Sequence, residues 1–301
     1  MTVSPPYEPT TQRVVEEQRP TCDLVAASEY TVEALTGIYN QTRIDYIVPM
    51  PMNPERLYEY IDVYDVDLAR SVVALVDGEV LGLAMLGVRP GRTWITRLGV
   101  IPDRRRCGAG RSMMQYLLDQ TRDLGIEHIV LEVIKNNVPA HTLFRRFGFV
   151  ENRELLILRR PPGPPRAGAP PYEATLLGEA EALALLQRRQ SVPSWLDETA
   201  SLANAGGLAG ISVELHDGGR GWLVFQPTVF QLGRLVVQTE RGDPAHVAQA
   251  LAHALHTHYP IHDTKTENVP ADDPHLPGLF ALRYFESFRR IEMTLDLGRP
   301  T

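Results

Sequence analysis

The chain has 301 residues, 44% hydrophobic and 22% charged, with a formal net charge of −7. This balance is ordinary for a globular protein of one or two domains. It argues against nucleic-acid and membrane partners, which call for basic patches or long apolar runs. Two cysteines, Cys22 and Cys107, argue against a disulfide scaffold and fit a reducing compartment, so a cytoplasmic location is expected. The first residues carry no basic-then-apolar leader pattern.

Residues 1–20 are polar and proline-bearing and read as a flexible tail. Asp23 to Ala27 reads as a strand. Glu29 to about Arg43 has helical spacing through Val32, Leu35, Ile38 and Tyr39. Pro49, Pro51 and Pro54 punctuate a loop, and a second helix presents Leu57, Tyr60, Ile61 and Tyr64. Ser71 to Val76 and Val80 to Val88 flank Asp77-Gly78, a hairpin signal. Asp77 and Glu79 also break the most apolar stretch, so it cannot span a membrane. Ile95 to Val100 is a strand, Ile101 to Gly110 a tight loop, and Arg111 opens a helix that ends at Gly125. Ile129 to Ile134 is a β-branched strand with Glu132 set into it. Val138 to Phe147 is a short helix stopped by Gly148, and Phe149 to Leu158 is a strand.

Residues 161–171 read PPGPPRAGAPP, with six prolines in eleven residues, which excludes helix and inner strand. This segment is expected to be a semi-rigid linker between a domain at 21–160 and a second at 172–301. The second half repeats the coarse order of the first: strand Tyr172 to Leu177, helix Glu179 to Arg189, a hairpin around His216-Asp217-Gly218-Gly219, strand Leu235 to Thr239, helix Pro244 to His256, and strand Arg289 to Leu297. Asn137-Val138-Pro139-Ala140 recurs as Asn268-Val269-Pro270-Ala271, which supports an internal repeat.

The loop before Arg111 is suited to a polyphosphate. Gly108 and Gly110 let backbone approach closely, the helix start presents unpaired N–H groups, and Arg104, Arg105, Arg106 and Arg111 add charge. Neither GxxxxGK[ST] nor GxGxxG is present, which counts against an ATP- or NAD-dependent enzyme. Arg105-x-x-Gly108-x-Gly110 after Leu98-Gly99-Val100-x-Pro102 resembles the acyl-CoA pyrophosphate loop of the GNAT superfamily of N-acetyltransferases. The stretch Leu131-Glu132-Val133 to Asn137-x-x-Ala140-x-x-Leu143-Phe144-x-x-Phe147-Gly148-Phe149 is similar to the corresponding GNAT segment.

The resemblance implies an α/β fold, mixed and layered, in two tandem GNAT-like domains. Each would have a mostly antiparallel twisted sheet flanked by helices. It implies acetyl-CoA as co-substrate, with Arg105, Arg106, Cys107, Gly108, Ala109, Gly110, Arg111 and Ser112 at the pyrophosphate, backbone at Leu98 and Val100 pairing with pantetheine, and Asn137 and Phe144 completing the cofactor side. Gly99 is compatible with the bulge by which that strand splays from its neighbour. Transfer to an amine needs a base, because a free amine is mostly protonated at neutral pH. Glu132 is the candidate, the alternative being an outward residue of an alternating strand. Phe144 stands where the family usually has a tyrosine acid, and phenylalanine has no proton to give. Tyr116, Cys107 and His141 are possible substitutes.

In the second half the loop Glu240-Arg241-Gly242-Asp243-Pro244 has one glycine and two carboxylates that repel phosphate, so a degenerate GNAT-like domain without cofactor is expected. The histidines at 253, 256, 258 and 262 have poor ligand spacing, and no metal is expected. The expected activity is acetyl transfer to a primary amine, on a small molecule or a peptide N-terminus, by a monomer or homodimer. A non-catalytic acyl-CoA-binding module is the alternative that Phe144 motivates.

Overall fold

The computed structural model describes residues 22–165 and 168–298; the tail assigned to residues 1–20 lies outside them. In the first half, β1 (Asp23–Ala26) leads to α1 (Val32–Thr42) and α2 (Pro54–Val63), then to β2 (Val72–Val76), β3 (Glu79–Arg89) and β4 (Arg92–Val100). α3 (Ala109–Asp123), β5 (His128–Ile134), α4 (Val138–Arg146) and β6 (Val150–Arg160) follow. The second half runs β7 (Tyr172–Leu177), α5 (Glu179–Leu186), α6 (Thr199–Ala205), β8 (Ala209–Leu215), β9 (Arg220–Pro227), β10 (Gln231–Arg241) and α7 (Pro244–His258). It ends with β11 (Asp263–Lys265), β12 (Val269–Pro270), α8 (Leu276–Ala281) and β13 (Phe285–Asp296).

Local chemistry explains many of these bounds. Thr31, Asn53, Asn137 and Asp243 each cap a helix by accepting an N–H from its first turn, and Pro54, Pro139 and Pro244 sit in first turns, where a missing N–H costs nothing. Asp77 and Gly78 both have positive φ, 50° and 78°, the two-residue turn that matches strand twist.

The sheet is mixed and mostly antiparallel, and it is continuous across both halves. Its order is β1-β2-β3-β4-β5-β13-β6-β11-β10-β9-β8-β7, with β12 on β6. Only β4/β5 and β10/β11 run parallel, each joined through a helix, α3 and α7 respectively. The element order of the first half therefore repeats, but the repeats exchange closing strands. β13 enters between β5 and β6, and β6 pairs with β11 and β12. Met293 and Leu295 of β13 are buried with α3 and β5, while Leu156 and Leu158 of β6 are buried with α7 and β9.

A second lock is Trp195, between α5 and α6. Its ring stacks on Trp94 of β4 at 5.7 Å and 17°, its Nε1 donates to the Tyr64 carbonyl at 2.9 Å, and it belongs to the α1/α2 core of the first half. Gly87 makes room for it, since a Cβ there would lie 2.9 Å from the Trp195 ring. Arg89 ties the same region together, bonding Asp65 at 2.7 Å, Glu198 at 2.8 Å and Ser201 at 2.7 Å.

Several sequence expectations change. The last strand starts at Phe285, four residues before the expected Arg289, and α6 and β12 are additional elements. The repeated Asn-Val-Pro-Ala string occupies two settings: Asn137 caps α4 directly, whereas Val269-Pro270 forms β12 and α8 begins only at Leu276. The proline-rich segment is fastened to the second half, with Gly163 N–H donating to the Pro260 carbonyl at 2.6 Å and Gln249 donating to the Gly168 carbonyl at 2.7 Å. The histidines go to separate partners. His253 meets the Tyr172 hydroxyl and buried His256 meets the Tyr284 hydroxyl, each at 2.8 Å, and burial pushes the His256 pKa down to about 3, so it stays neutral.

Candidate active site

β4 and β5 pair only from Arg92 to Ile95 against His128 to Leu131. Beyond that they part. The cause is a bulge in β4, where Arg97 and Leu98 together oppose Ala84 of β3. Arg97 carries it at φ 54°, a conformation that costs a non-glycine residue roughly 1–2 kcal/mol. Gly99 serves packing instead: a Cβ there would sit 2.6 Å from the Thr42 hydroxyl at the end of α1.

A cleft of about 1330 Å³ opens along the splay and over the start of α3. Leu98, Val100, Arg105 to Arg111 and Asn137 all line it. Gly108 caps α3 at φ 97° with no side chain in the capping role. The N–H groups of residues 106 to 110 have no acceptor among the described residues, so a row of amides and the positive helix end face the cleft. A Cβ at Gly110 would meet only ordinary contacts within the protein, Leu143 at 3.5 Å and Val100 at 3.8 Å, so internal packing does not require glycine there. Arg43, Arg122 and Arg146 add to the positive lining; no motif in the sequence marks these three.

Some expected contacts are differently disposed. Arg105 makes a two-pronged pair with Asp45, both bonds 2.6 Å, and this pair holds the Asp45 carboxyl below its usual range. The Leu98 and Val100 carbonyls accept from Arg43 at 3.1 Å and Arg105 at 3.3 Å, which leaves their N–H groups, directed away from β3, for a partner in the gap. Ser112 turns back to the Gly108 carbonyl at 3.4 Å and does not line the cleft. Phe144 lines a smaller neighbouring cavity and packs on Phe149 with 6.2 Å between ring centres. Of the substitute acids, Cys107 is in the cleft, whereas Tyr116 and His141 are outside both cavities.

The smaller cavity, about 110 Å³, lies across the splay and shares Arg43, Tyr46, Leu98, Asn137 and Ala140 with the cleft. Glu132 is on its wall. The Trp94 indole N–H donates to Glu132 Oε2 at 2.8 Å and the Asn268 amide to Oε1 at 3.2 Å. β13 places Glu292 directly opposite Glu132 and Arg290 two residues away on the same face. Desolvation raises the Glu132 pKa to about 7, opposed by Arg290 and the Trp94 bond and reinforced by Glu292 and Glu267. Asn268, Arg290 and Glu292 come from the second half, so this wall is composite. Their one-dimensional signal, an Asn and alternating charges in a terminal strand, does not distinguish them from surface residues.

In the second half, the β10 bulge reproduces that of β4, with Arg234 at φ 53°. There the helix start is closed by Asp243, which accepts from the His246 N–H at 2.9 Å. The anion-binding geometry is therefore present once among the described residues.

A strand splayed by a bulge is thus followed by a helix start without a side-chain cap, and the backbone amides there face the splay. Residues 35–149 match the acetyltransferase (GNAT) family, so the chain carries a GNAT acetyltransferase domain. Over 88 residues the chain is 32% identical to the spermine/spermidine N(1)-acetyltransferase of Bacillus subtilis, an alignment covering 26% of this chain and 58% of that protein. Among solved structures, a GCN5-related N-acetyltransferase from Sphaerobacter thermophilus superposes with a TM-score of 0.67 at 15% identity, over 94% of this chain and 97% of that one. A tandem GNAT protein from the clavulanic acid biosynthesis pathway gives 0.62 at 14% identity, over 93% and 100%. Both superpositions extend through the second half, so the two halves together share the fold of those proteins.

Proposed function

We propose that the protein is an N-acetyltransferase that moves an acetyl group from acetyl-CoA to a primary amine. One observation carries this reading: the cleft with unpartnered amides at residues 106–110 adjoins, across the splay, a cavity whose wall holds a desolvated carboxylate. The amides and the surrounding arginines suit a diphosphate, and the arginine forks suit its oxygens. Arg105 would exchange Asp45 for phosphate on loading. The N–H groups of Leu98 and Val100 receive pantetheine carbonyls as an added strand would. Acetyl-CoA supplies the thioester carbonyl: the amine nitrogen forms the new C–N bond, the C–S bond breaks, and the electron pair leaves on sulfur.

Glu132 takes the proton that the amine must lose. With a pKa of about 7 it is part carboxylate at neutral pH and strong enough as a base to matter. Phe144 has no proton for the leaving thiolate. Tyr46 lines both cavities, its ring lies under the Arg43 guanidinium at 4.2 Å, and its hydroxyl has no hydrogen bond among the described residues; we assign it the donor role.

Free-thiol release from acetyl-CoA, followed against a panel of primary amines, tests the reading. Acceptor-dependent thiol is the expected result. Acetyl-CoA binding with no acceptor-dependent thiol for any amine would establish the non-catalytic module instead.

A further inference from the structure

The smaller cavity is more cationic than capture of a simple amine requires. Its lining has one carboxylate, Glu132, and three guanidiniums, Arg43, Arg97 and Arg290. Arg290 is balanced within the protein: Nη1 donates to Asn268 Oδ1 at 2.9 Å and lies 3.1 Å from Glu267 Oε2. Arg97 is only partly so. It makes no ion pair among the described residues, and the Glu267 carboxylate acts on it from beyond ion-pair distance; Nη1 donates to the Tyr39 hydroxyl at 3.2 Å, and its buried Nε–H has no partner. The guanidinium lies over the Tyr60 ring at 4.0 Å and the Tyr39 ring at 5.3 Å. Ring faces hold the plane of the cation but leave its in-plane donors open. A desolvated cation with open donors is costly until an anion meets it.

The internal repeat provides a comparison. Arg234 holds the same bulge position in the second half, and its guanidinium is closed off by protein: Gln226 Oε1 at 2.9 Å, the Tyr64 hydroxyl at 2.8 Å and the Glu59 carboxylate at 3.3 Å. The half that has the anion-binding helix start is the half whose bulge arginine is left open, and it opens on the cavity that holds Glu132.

We infer that the acceptor is a small primary amine bearing a carboxylate, received by Arg97 while its amine faces Glu132. The amine half of this statement rests on the N-acetyltransferase reading; the carboxylate half does not. The cavity's 110 Å³ is room for roughly four water-sized positions at ~30 Å³ each, the scale of the smallest amino acids or the end of a longer chain. A polyamine would add positive charge beside Arg43 and Arg97.

The test compares acceptors matched in size: glycine with glycinamide, β-alanine with β-alaninamide, and spermidine as the polycation. With the full-length protein and acetyl-CoA, the carboxylates are expected to exceed the amides in kcat/KM by at least about tenfold, chiefly through KM, and Arg97→Gln is expected to bring that ratio near one. Amides or spermidine used as well as the carboxylates would overturn the inference. A second measurement needs neither turnover nor a variant: calorimetric titration of the CoA-loaded protein with N-acetylglycine and N-acetylglycinamide, expected to favour the carboxylate by at least about tenfold. Selective binding of N-acetylglycine without acetylation of any amine would refute transfer and keep the carboxylate site. Thiol release without carboxylate preference would do the reverse. Equal or absent binding of both probes would remove the carboxylate site.

Discussion

A chain ending at residue 165 is expected not to fold as an independent unit. In the whole protein β13 supplies β5 with its outer neighbour, and β6 has β13, β11 and β12 as its partners. Ending the chain there would bare the outer edge of β5 and both edges of β6, which invites aggregation, and would remove Met293 and Leu295 from the α3 core. It would also withdraw Trp195 from its stack on Trp94. Loss of that indole alone, as in Trp195→Ala in the full chain, is expected to cost about 3–5 kcal/mol, a large part of the roughly 5–15 kcal/mol that holds a typical protein folded. Thermal melting followed by circular dichroism checks both: the full chain should melt cooperatively, Trp195→Ala at a markedly lower temperature, and the 1–165 fragment without a cooperative transition. A fragment that melts cooperatively and is stabilised by CoA would refute the strand exchange. Residues 21–160 and 172–301 would on this account be repeat units but not folding units.

Glu132→Gln is expected to lower kcat by about 10²–10⁴-fold, the usual contribution of a positioned base, while the melting-temperature rise caused by CoA persists. The sign of the pH dependence follows from the raised pKa. The carboxylate form is the active one, so activity is present above the group's pKa and is lost as pH falls through about 7, tenfold per unit well below it. The Gln variant should lack that acid limb. Trp94→Phe removes the indole N–H that favours the carboxylate, so the limb should move to higher pH. Steady-state rates at saturating acetyl-CoA and amine, measured from pH 5.5 to 9, decide it. An acid limb unchanged in Glu132→Gln would assign the base to another group.

Local signals in the sequence were sufficient for much of this. Helix caps, the Asp77-Gly78 turn, the Gly108 and Gly110 loop and the carboxylate inside an apolar strand are short-range features, and each has a short-range cause. The exchange of β6 and β13 was not legible, because a strand's alternation specifies which face is buried and not which strand lies beside it. Arg97 reads as an ordinary strand residue; only its pairing against Ala84 reveals the bulge that frees its guanidinium. Trp195 lay in a segment without periodicity, and its one trace was the pair Trp195-Leu196 in polar surroundings together with Gly87 inside β3. The recurrence of Asn137-Val138-Pro139-Ala140 at residues 268–271 marked a true repeat yet obscured a difference, since Asn268 turns to Glu132 and Ser194 and caps no helix.

The proposed coenzyme binding, and with it the proposed transfer, depends on the backbone amides at the start of α3. Titration of isotopically labelled, deuterated protein with CoA, read as amide proton shifts, observes them directly. The account requires the N–H signals of residues 107 to 110 to move strongly downfield and saturate with the same affinity as the rest of the binding response. Saturable CoA binding that leaves those four signals in place would mean that the diphosphate is held elsewhere.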